Sequence, residues 1–251
     1  MEEILAVRDL TKTFSEGKAP ITAVDHVSFS LDAGENLGLV GESGSGKSTL
    51  ARLICRLTEP TSGSIRLCGQ DIARRKGRAL QEAYRRVQMV FQSPRGSFDP
   101  RRTLGHGIGE SLRNSGLPKA EVKARTAALL EQCGLPADFA GRYPHEVSGG
   151  QCQRAAIARA LAVGPKLLIC DEATSALDVT VQQQILELLQ RLREERGLAY
   201  LFICHNLALV QSFCDRVLVM EAGKIVEDGP TDAVIRNPRH PYTRTLVEAA
   251  L

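Results

Sequence analysis

Residues 41–48 begin with Gly41, carry Gly46 five positions later and end in Lys47 and Ser48, the pattern G-x-x-x-x-G-K-[S/T]. A short apolar segment, residues 36–40, comes before this loop, and the helix-like residues 48–57 follow it. Small residues allow successive backbone N–H groups to point at an anion, and the start of the following helix adds its positive dipole. The segment therefore predicts a strand, a phosphate-binding loop and a helix, as found in α/β proteins that bind nucleotides.

Each part of this phosphate-binding loop (residues 41–48) has an expected task. Lys47 supplies a positive charge at the β- and γ-phosphates, where it also serves catalysis, and the Ser48 hydroxyl is suited to hold Mg²⁺. The residues expected to contact the nucleotide are Gly41, Ser43, Gly44, Ser45, Gly46, Lys47, Ser48 and Thr49. The loop alone does not distinguish kinases, GTPases and ATPases.

A second cluster follows the apolar residues 167–170, where Asp171 and Glu172 stand side by side. Acids at the carboxyl end of a strand lie where α/β sheets bind their ligands. Asp171 is suited to bind Mg²⁺ through water, and Glu172 to act as general base on an attacking water molecule. The alternative is a strand that simply runs into a charged turn.

A third cluster, residues 148–151, joins a helix-capping serine to two glycines and a glutamine. This arrangement predicts another anion-binding helix start. One nucleotide is not easily held by two distant loops of one chain, whereas two chains facing each other would solve that problem. An ordinary glycine turn that caps a helix gives the same pattern.

Along the chain, the hydrophobic pattern predicts strands, then a helical stretch over about 93–162, then strands and helices in alternation. We expect a mostly parallel sheet with helices on its faces, interrupted by a helical insertion. Residues 15–20 are typical of a turn. The predicted strands are 4–10, 24–31, 36–40, 64–68, 87–91, 167–170, 199–204 and 217–220, and the clearest helices are 48–57, 121–133 and 179–195.

Composition narrows the partners and the location. A net charge of +3 with interspersed acids and bases does not favour nucleic-acid binding, and the basic residues 74–76 and 78 are interpreted as an exposed loop. The chain start lacks the basic and apolar regions of a signal peptide, and no apolar run reaches the ~20 residues of a membrane span. We therefore expect a cytoplasmic protein. The seven cysteines form no C-x-x-C pair, and Cys170 and Cys204 are expected to be reduced core residues.

Taken together, these motifs in this order resemble the ATP-binding cassette (ABC) proteins over nearly the whole chain. The resemblance implies a P-loop NTPase fold with a RecA-like mixed sheet core, an N-terminal antiparallel β subdomain and an inserted α-helical subdomain. It also implies one ABC ATPase domain, 1–251, in which 1–92 and 163–251 form the α/β core and 93–162 the helical subdomain with the signature motif. ATP and Mg²⁺ are the expected cofactors.

The same resemblance assigns roles to further residues. Ser148, Gly149, Gly150 and Gln151 become the signature that contacts ATP bound by the opposite subunit. Gln92 becomes the residue that links Mg²⁺ and the catalytic water to the helical subdomain, and His205 the switch histidine near the γ-phosphate. Residues 175–178, with Asp178, resemble the loop at the dimer seam, and Phe14 occupies the position of the adenine-stacking aromatic.

Two positions depart from the usual family pattern. Val147 stands where leucine usually opens the signature, and Cys170 precedes Asp171 where a branched aliphatic residue is more common. Both changes are compatible with burial. Glu172 and His205 are both present, so the half-site resembles a hydrolytically competent one.

Two segments point to one branch of the family. Residues 91–101 resemble the peptide/nickel uptake branch, with Asp99 where asparagine is usual, and residues 237–243 are similar to the tail of that branch. The tail also has a simpler interpretation as a proline-rich turn before a short helix. The branch implies an importer subunit on the inner face of the cell membrane, paired with a second, paralogous ATPase subunit or with itself. Its further partners would be transmembrane permeases and, indirectly, a substrate-binding protein.

Two other function classes remain open from sequence. One is a soluble ABC ATPase of DNA repair, of ribosomes or of a multienzyme assembly such as phosphonate breakdown. The other is a nucleotide-binding regulator that does not hydrolyse, which Glu172 and His205 disfavour.

Overall fold

The computed structural model describes residues 2–15, 20–175 and 177–249, and all statements on structure refer to these ranges. The strands are β1 Glu3–Phe14, β2 Ile21–Asp32, β3 Asn36–Val40, β4 Ser62–Leu67, β5 Gln70–Asp71, β6 Val87–Val90, β7 Leu167–Asp171, β8 Ala199–Ile203, β9 Arg216–Glu221 and β10 Lys224–Pro230. The helices are α1 Lys47–Ile54, α2 Gly77–Arg86, α3 Leu104–Ile108, α4 Glu110–Asn114, α5 Lys119–Gln132, α6 Gly149–Leu161, α7 Val179–Arg196, α8 Leu207–Phe213, α9 Thr231–Arg236 and α10 Pro241–Glu248.

The larger sheet has the strand order β10-β9-β3-β8-β7-β6. Its strands run parallel except β10, which pairs antiparallel with β9. Every residue of β3, β7 and β8 is buried, as expected for parallel strands that are covered on both faces.

The two faces of this sheet support two hydrophobic cores. In β8, Tyr200 and Phe202 point into the core shared with α6 and α7, whereas Leu201 and Ile203 point into the core shared with α1 and the second sheet. That second sheet is antiparallel, in the order β2-β1-β4-β5. The period-two alternation of side chains thus lets one strand hold the two layers together.

Residues 93–162 contain α3 to α6 with short 3-10 turns and no strand within the described residues. Leu104 and Ile108 of α3 and Leu130 of α5 are buried in the same core as α6. The structure therefore has the α/β class with an antiparallel β sheet and a helical segment that the sequence predicts. The boundaries at 92/93 and 162/163 stay a prediction.

Some element predictions need correction. The basic residues 74–78 do not form only a loop, because α2 begins at Gly77 and takes in Arg78. The β9–β10 hairpin, which turns through Ala222 and Gly223 at positive φ, was not predicted. The predicted turn at 15–20 falls on residues 16–19, which lie outside the described residues.

Two sequence expectations concern composition. Among the described residues, no helix is both long and apolar enough to span a membrane. Cys170 and Cys204 are buried and free, and burial raises the pKa of both thiols, as expected for core cysteines.

The buried strand β8 gives a test of the two-core architecture. We expect Leu201→Ala to lower the free energy of unfolding by about 2–5 kcal/mol, because Leu201 is fully buried and its removal leaves a cavity. Urea denaturation followed by circular dichroism measures the change. Leu57→Ala is the matched control, since Leu57 is 55% exposed and its truncation should cost less than about 0.5 kcal/mol. Equal effects of the two substitutions would contradict this assignment of the core.

Candidate active site

The candidate site lies at the carboxyl ends of neighbouring parallel strands. Leu39 of β3 pairs with Ile203 of β8, and Ile203 also pairs with Asp171 at the end of β7. The phosphate-binding loop follows β3, and His205 comes two residues after β8. Parallel strands place these connections at the same edge of the sheet, which is where α/β folds bind ligands.

The glycines of the phosphate-binding loop allow close backbone packing. A Cβ on Gly41 would lie 2.1 Å from the Met220 carbonyl oxygen, and one on Gly46 would lie 2.2 Å from that of Ala23. Both residues have positive φ, 148° and 106°, which disfavours other residues. The loop is thereby pressed against the end of β9 and against β2.

A hydrogen bond from the β9–β10 turn further fixes the loop, whereas the first N–H groups of α1 stay available. The Gly223 N–H, in the β9–β10 turn, donates to the Ser45 carbonyl at 3.0 Å. Gly46 is the cap residue of α1 and offers no side-chain partner to the first N–H groups of that helix. These groups have no partner within the helix either, so they are available to an anion. Ser43 and Gly44 lie exposed, and Thr49 is half-buried in the first turn of α1.

Lys47 is 6% exposed, with its ammonium group inside the loop. Its Nζ donates to the carbonyl oxygens of Gly41 and Glu42, both at 2.7 Å, and to Ser45 Oγ at 3.3 Å. Burial lowers the pKa of Lys47, and the nearby carboxylates of Glu172 and Asp171 oppose that shift. The charge of Lys47 therefore lies within the loop, beside the backbone groups at the start of α1.

Asp171 and Ser48 meet across the site. Ser48 Oγ donates to Asp171 Oδ1 at 3.0 Å, and Asp171 is only 8% exposed. Burial raises the pKa of Asp171, and the hydrogen bond from Ser48 counteracts this. A hydroxyl and a carboxylate with Gln92 nearby form an oxygen-rich set of the kind Mg²⁺ prefers, and a cation there would offset the cost of the buried carboxylate.

Glu172 adopts a left-handed backbone conformation with φ of 49°, unusual for a residue other than glycine. Such strain often marks a functional position. Its N–H donates to the Ile203 carbonyl at 3.0 Å, and its Oε2 accepts a 2.8 Å hydrogen bond from Gln92 Nε2. The site therefore brings together Lys47, Ser48, Gln92, Asp171 and Glu172.

The other two single residues predicted from sequence, His205 and Phe14, are both exposed. His205 is exposed at the end of β8, beside Asn206, whose side chain caps α8. Phe14 ends β1 and is 37% exposed, with Lys12 Nζ 4.9 Å from its ring centroid. An exposed aromatic ring is available for stacking.

The signature residues lie elsewhere, at the start of α6. Ser148 Oγ accepts from the Gln151 N–H at 3.2 Å while Gln151 Oε1 accepts from the Ser148 N–H at 2.9 Å, a reciprocal capping box. A Cβ on Gly149 would lie 3.5 Å from Leu177, and one on Gly150 would lie 2.5 Å from Val181. Among the described residues, no hydrogen bond joins 148–151 to the phosphate-binding loop.

Asp178 acts as a helix cap in this chain. Its Oδ1 accepts from the Val181 N–H at 2.9 Å and so begins α7. Ala176, within the predicted seam loop 175–178, lies outside the described residues. The role of Asp178 at a dimer seam therefore stays a prediction.

Some contacts near the site were not predicted. Arg95 Nη2 donates to the Val147 carbonyl at 2.7 Å, and Arg159 donates to the Ser97 carbonyl and lies 4.5 Å from the Phe98 ring centroid. They tie the segment after Gln92 to α6. Of Arg95 and Arg159, only Arg95 lies within a segment singled out from sequence, residues 91–101. A contact between side chains remote in sequence has no signal in the sequence itself.

Comparison with known proteins finds relatives of this chain. Residues 24–175 match the protein family described as ABC transporter. A Brucella abortus (strain 2308) protein named "Putative peptide import ATP-binding protein" is 48% identical, over 99% of this chain and 77% of its own length. The glutathione import ATP-binding protein GsiA of Salmonella choleraesuis is 50% identical over 99% of this chain, which spans 41% of GsiA.

Solved structures show the same likeness. The ATP-binding cassette MJ0796, in a dimeric post-hydrolysis state bound to ADP and Pi, superposes with a TM-score of 0.83 at 29% identity, covering 91% of this chain and 99% of that one. CbiO1 from Clostridium perfringens, part of the transporter complex cbiONQ, gives a TM-score of 0.82 at 28% identity, covering 99% and 100%.

The close packing at Gly46 generates a prediction. Gly46→Ala would place a methyl group against the Ala23 carbonyl at a φ that alanine rarely adopts, so we expect the loop to shift and nucleotide binding to fall at least about tenfold. Titration with a fluorescent ATP analogue measures the affinity. Gly141→Ala is the matched control, because open space surrounds that position. Unchanged affinity in Gly46→Ala would show that this packing does not shape the binding loop.

Proposed function

The chain belongs to the ABC transporter family and is an ATPase of that family, and we propose that it powers a membrane importer for peptide-like substrates. The observation that carries the ATPase chemistry is the meeting of Lys47, Asp171 and Glu172 at one sheet edge. The cargo class rests on the relatives named for peptide and glutathione import. Nickel, the other cargo of the branch predicted from sequence, stays a prediction.

Binding of ATP begins with its phosphates at the phosphate-binding loop. Residues Gly41, Ser43, Gly44, Ser45, Gly46 and Thr49 shape or line the backbone cradle, and Phe14 stacks on the adenine. Lys47 already lies among carbonyl oxygens of the loop, and its ammonium turns to the β- and γ-phosphates. Ser48, Asp171 and Gln92 would hold Mg²⁺, which neutralises phosphate charge. Gln92 donates through Nε2 to Glu172, which leaves its amide oxygen as the atom for a cation.

In the proposed hydrolysis, Glu172 is the general base that accepts a proton from the attacking water. A water molecule transfers a proton to the Glu172 carboxylate as its oxygen forms a bond to the γ-phosphorus. The bond from that phosphorus to the β–γ bridging oxygen breaks, and ADP leaves with the electron pair. His205, exposed at the adjoining strand end, stabilises the γ-phosphate charge. Gln92, bound to Glu172, orients the carboxylate.

The signature residues Ser148 to Gln151 serve a second chain. Within one chain they make no hydrogen bond to the phosphate-binding loop among the described residues. The capping box of Ser148 and Gln151 leaves the N–H groups of Gly149 and Gly150 at the helix start for an anion. A dimer in which each signature faces the partner's ATP would complete both sites, with Asp178 near the seam. Such dimerisation is supported by the dimeric state of the related cassette MJ0796.

Residues 93–162 provide a route by which ATP binding and hydrolysis can act on a membrane partner. Gln92 touches Glu172, and the segment that follows it is fastened to α6 by Arg95 and Arg159. We infer that a shift of Gln92 is passed through these contacts to α6. We assign the permease contact to this segment, with the protein peripheral on the cytoplasmic face of the membrane. No nucleic acid is expected, and a substrate-binding protein delivers the cargo indirectly.

The role of Glu172 is tested by Glu172→Gln. The amide keeps the shape and the hydrogen-bonding reach of the side chain but cannot accept the proton of water. We expect unchanged ATP affinity and a fall in kcat of about 10²–10⁴. Phosphate release and ATP binding are the measurements. Glu194→Gln, an exposed change on α7, is the control and should hydrolyse at the normal rate. Near-normal turnover in Glu172→Gln would remove Glu172 from the mechanism.

The importer assignment is tested by purifying the tagged chain from gently solubilised membranes of its own host and identifying the bound proteins by mass spectrometry. Wild type and Glu172→Gln are compared, because slowed hydrolysis should prolong the closed complex. We expect two permease subunits and an ATPase subunit. Recovery of soluble enzymes or ribosomal proteins without permeases would retain the ATPase and reject transport in favour of the non-transport alternative.

A further inference from the structure

We propose that Tyr242, on the C-terminal helix α10, is a positioning residue for the phosphate-binding loop. The observation is a hydrogen bond that crosses 200 positions of sequence, in which the Glu42 backbone N–H donates to the Tyr242 hydroxyl at 2.8 Å. This inference rests on the proposed role of residues 41–48 in binding ATP. It assigns a role in nucleotide binding to α10, which carries none of the proposed catalytic residues.

Two hydrogen bonds hold one peptide group, one at its N–H and the other at its carbonyl oxygen. The Glu42 N–H and the Gly41 carbonyl belong to the same planar peptide group. Tyr242 accepts from the N–H, and Lys47 Nζ donates to the carbonyl oxygen at 2.7 Å. Because the group is planar, the hydroxyl that fixes the N–H also fixes the direction of the carbonyl. Tyr242 thereby sets the place where the ammonium of Lys47 rests.

The two residues that form this peptide group, Gly41 and Glu42, constrain its orientation only weakly. Gly41 has a φ of 148° and lacks a side chain, so the backbone on its amino side has little preference of its own. Glu42 is exposed and its side chain makes no hydrogen bond among those found in the described residues. The Tyr242 hydroxyl is the contact that orients the Glu42 N–H.

Tyr242 is itself held firmly. Its ring packs half-buried against the core of α6 and α7, and Thr243 and Val247 on the same helix are 1% and 7% exposed. The ring Nδ1 of His240 accepts from the Tyr242 N–H at 3.3 Å and caps the helix. The hydroxyl therefore belongs to a fixed element rather than to a free tail.

The segment before the helix is anchored by Glu227 on β10. Its two carboxylate oxygens accept from the backbone N–H groups of Arg239 and His240, each at 3.0 Å. A carboxylate holding two backbone donors makes strong, charge-assisted bonds. Glu227 thus fixes where α10 begins, and through it where the Tyr242 hydroxyl lies.

The test is Tyr242→Phe, which removes the hydroxyl and keeps the ring packing. We expect the Kd for ATP, measured in the Glu172→Gln background to prevent hydrolysis, to rise about 2- to 10-fold, as for loss of one hydrogen bond. In the otherwise wild-type chain, kcat at saturating ATP should change less than about twofold, because the contact is present before and during the reaction. A purely structural role would lower the melting temperature or the active fraction and leave the Kd of the folded protein unchanged.

Thr245→Val is the matched control, because it also removes a hydroxyl from α10, where Thr245 donates only to the Pro241 carbonyl. It should leave the Kd unchanged. An unaltered Kd in Tyr242→Phe, or an equal rise in Thr245→Val, overturns the proposal while the ATPase assignment stands. If the Glu172→Gln protein without further change failed to bind ATP, the proposed function and this inference would both fall.

A double-mutant cycle tests the route from Glu227. Glu227→Gln should raise the Kd in the chain that keeps Tyr242 and have little further effect when combined with Tyr242→Phe, since both act on the same hydroxyl. Equal effects of Glu227→Gln in both backgrounds would contradict transmission through Tyr242.

Discussion

The hydrogen bond from Ser48 to Asp171 joins the first residues of α1 to the end of β7, across 123 positions of sequence. It can form only because β8 lies between β3 and β7 in the parallel sheet and holds the ends of all three strands in register. The rest of the site depends on that alignment. The phosphate-binding loop, the paired acids and His205 are each the continuation of a strand whose position the sheet fixes, so the core determines the distances at which the chemistry takes place.

Several features of the site are unfavourable for the stability of the folded chain, and contacts with neighbouring residues offset their cost. Lys47 and Asp171 are buried charges, and Glu172 has a left-handed backbone conformation. Each is held by surrounding contacts: loop carbonyls accept from Lys47, Ser48 donates to Asp171, and the Ile203 carbonyl accepts from the Glu172 N–H. Strain and buried charge persist where the neighbouring structure over-determines them, and such places are often functional. A bound nucleotide and its cation would complete the neutralisation that the free site provides only in part.

The phosphate-binding loop receives contacts from distant parts of the chain. The β9–β10 turn binds it through Gly223, α10 binds it through Tyr242, and its own Lys47 folds back onto it. On the far side of the acids, Gln92 connects Glu172 to a segment that Arg95 and Arg159 fasten to α6. Side-chain contacts therefore link Glu172 to the segment after Gln92, which is what the proposed coupling of hydrolysis to a partner requires.

The sequence by itself determined the elements whose cause is local. Strand β3 matches its prediction residue for residue, and the loop, the paired acids and the helix cap at Ser148 were predicted because glycine, lysine, carboxylates and caps act through their immediate neighbours. The reciprocal hydrogen bond of Gln151 to Ser148 appears only in the structure. Helix α2 was missed because it is mostly polar, with Ala83 as its one buried residue, and the basic residues at its start resemble a loop. The strand order, the strain at Glu172, the close approach at Gly46 and the contact of Tyr242 with Glu42 were decided only by the tertiary structure. Each depends on atoms brought together from remote positions, and a linear pattern of residue types carries no distance between such positions.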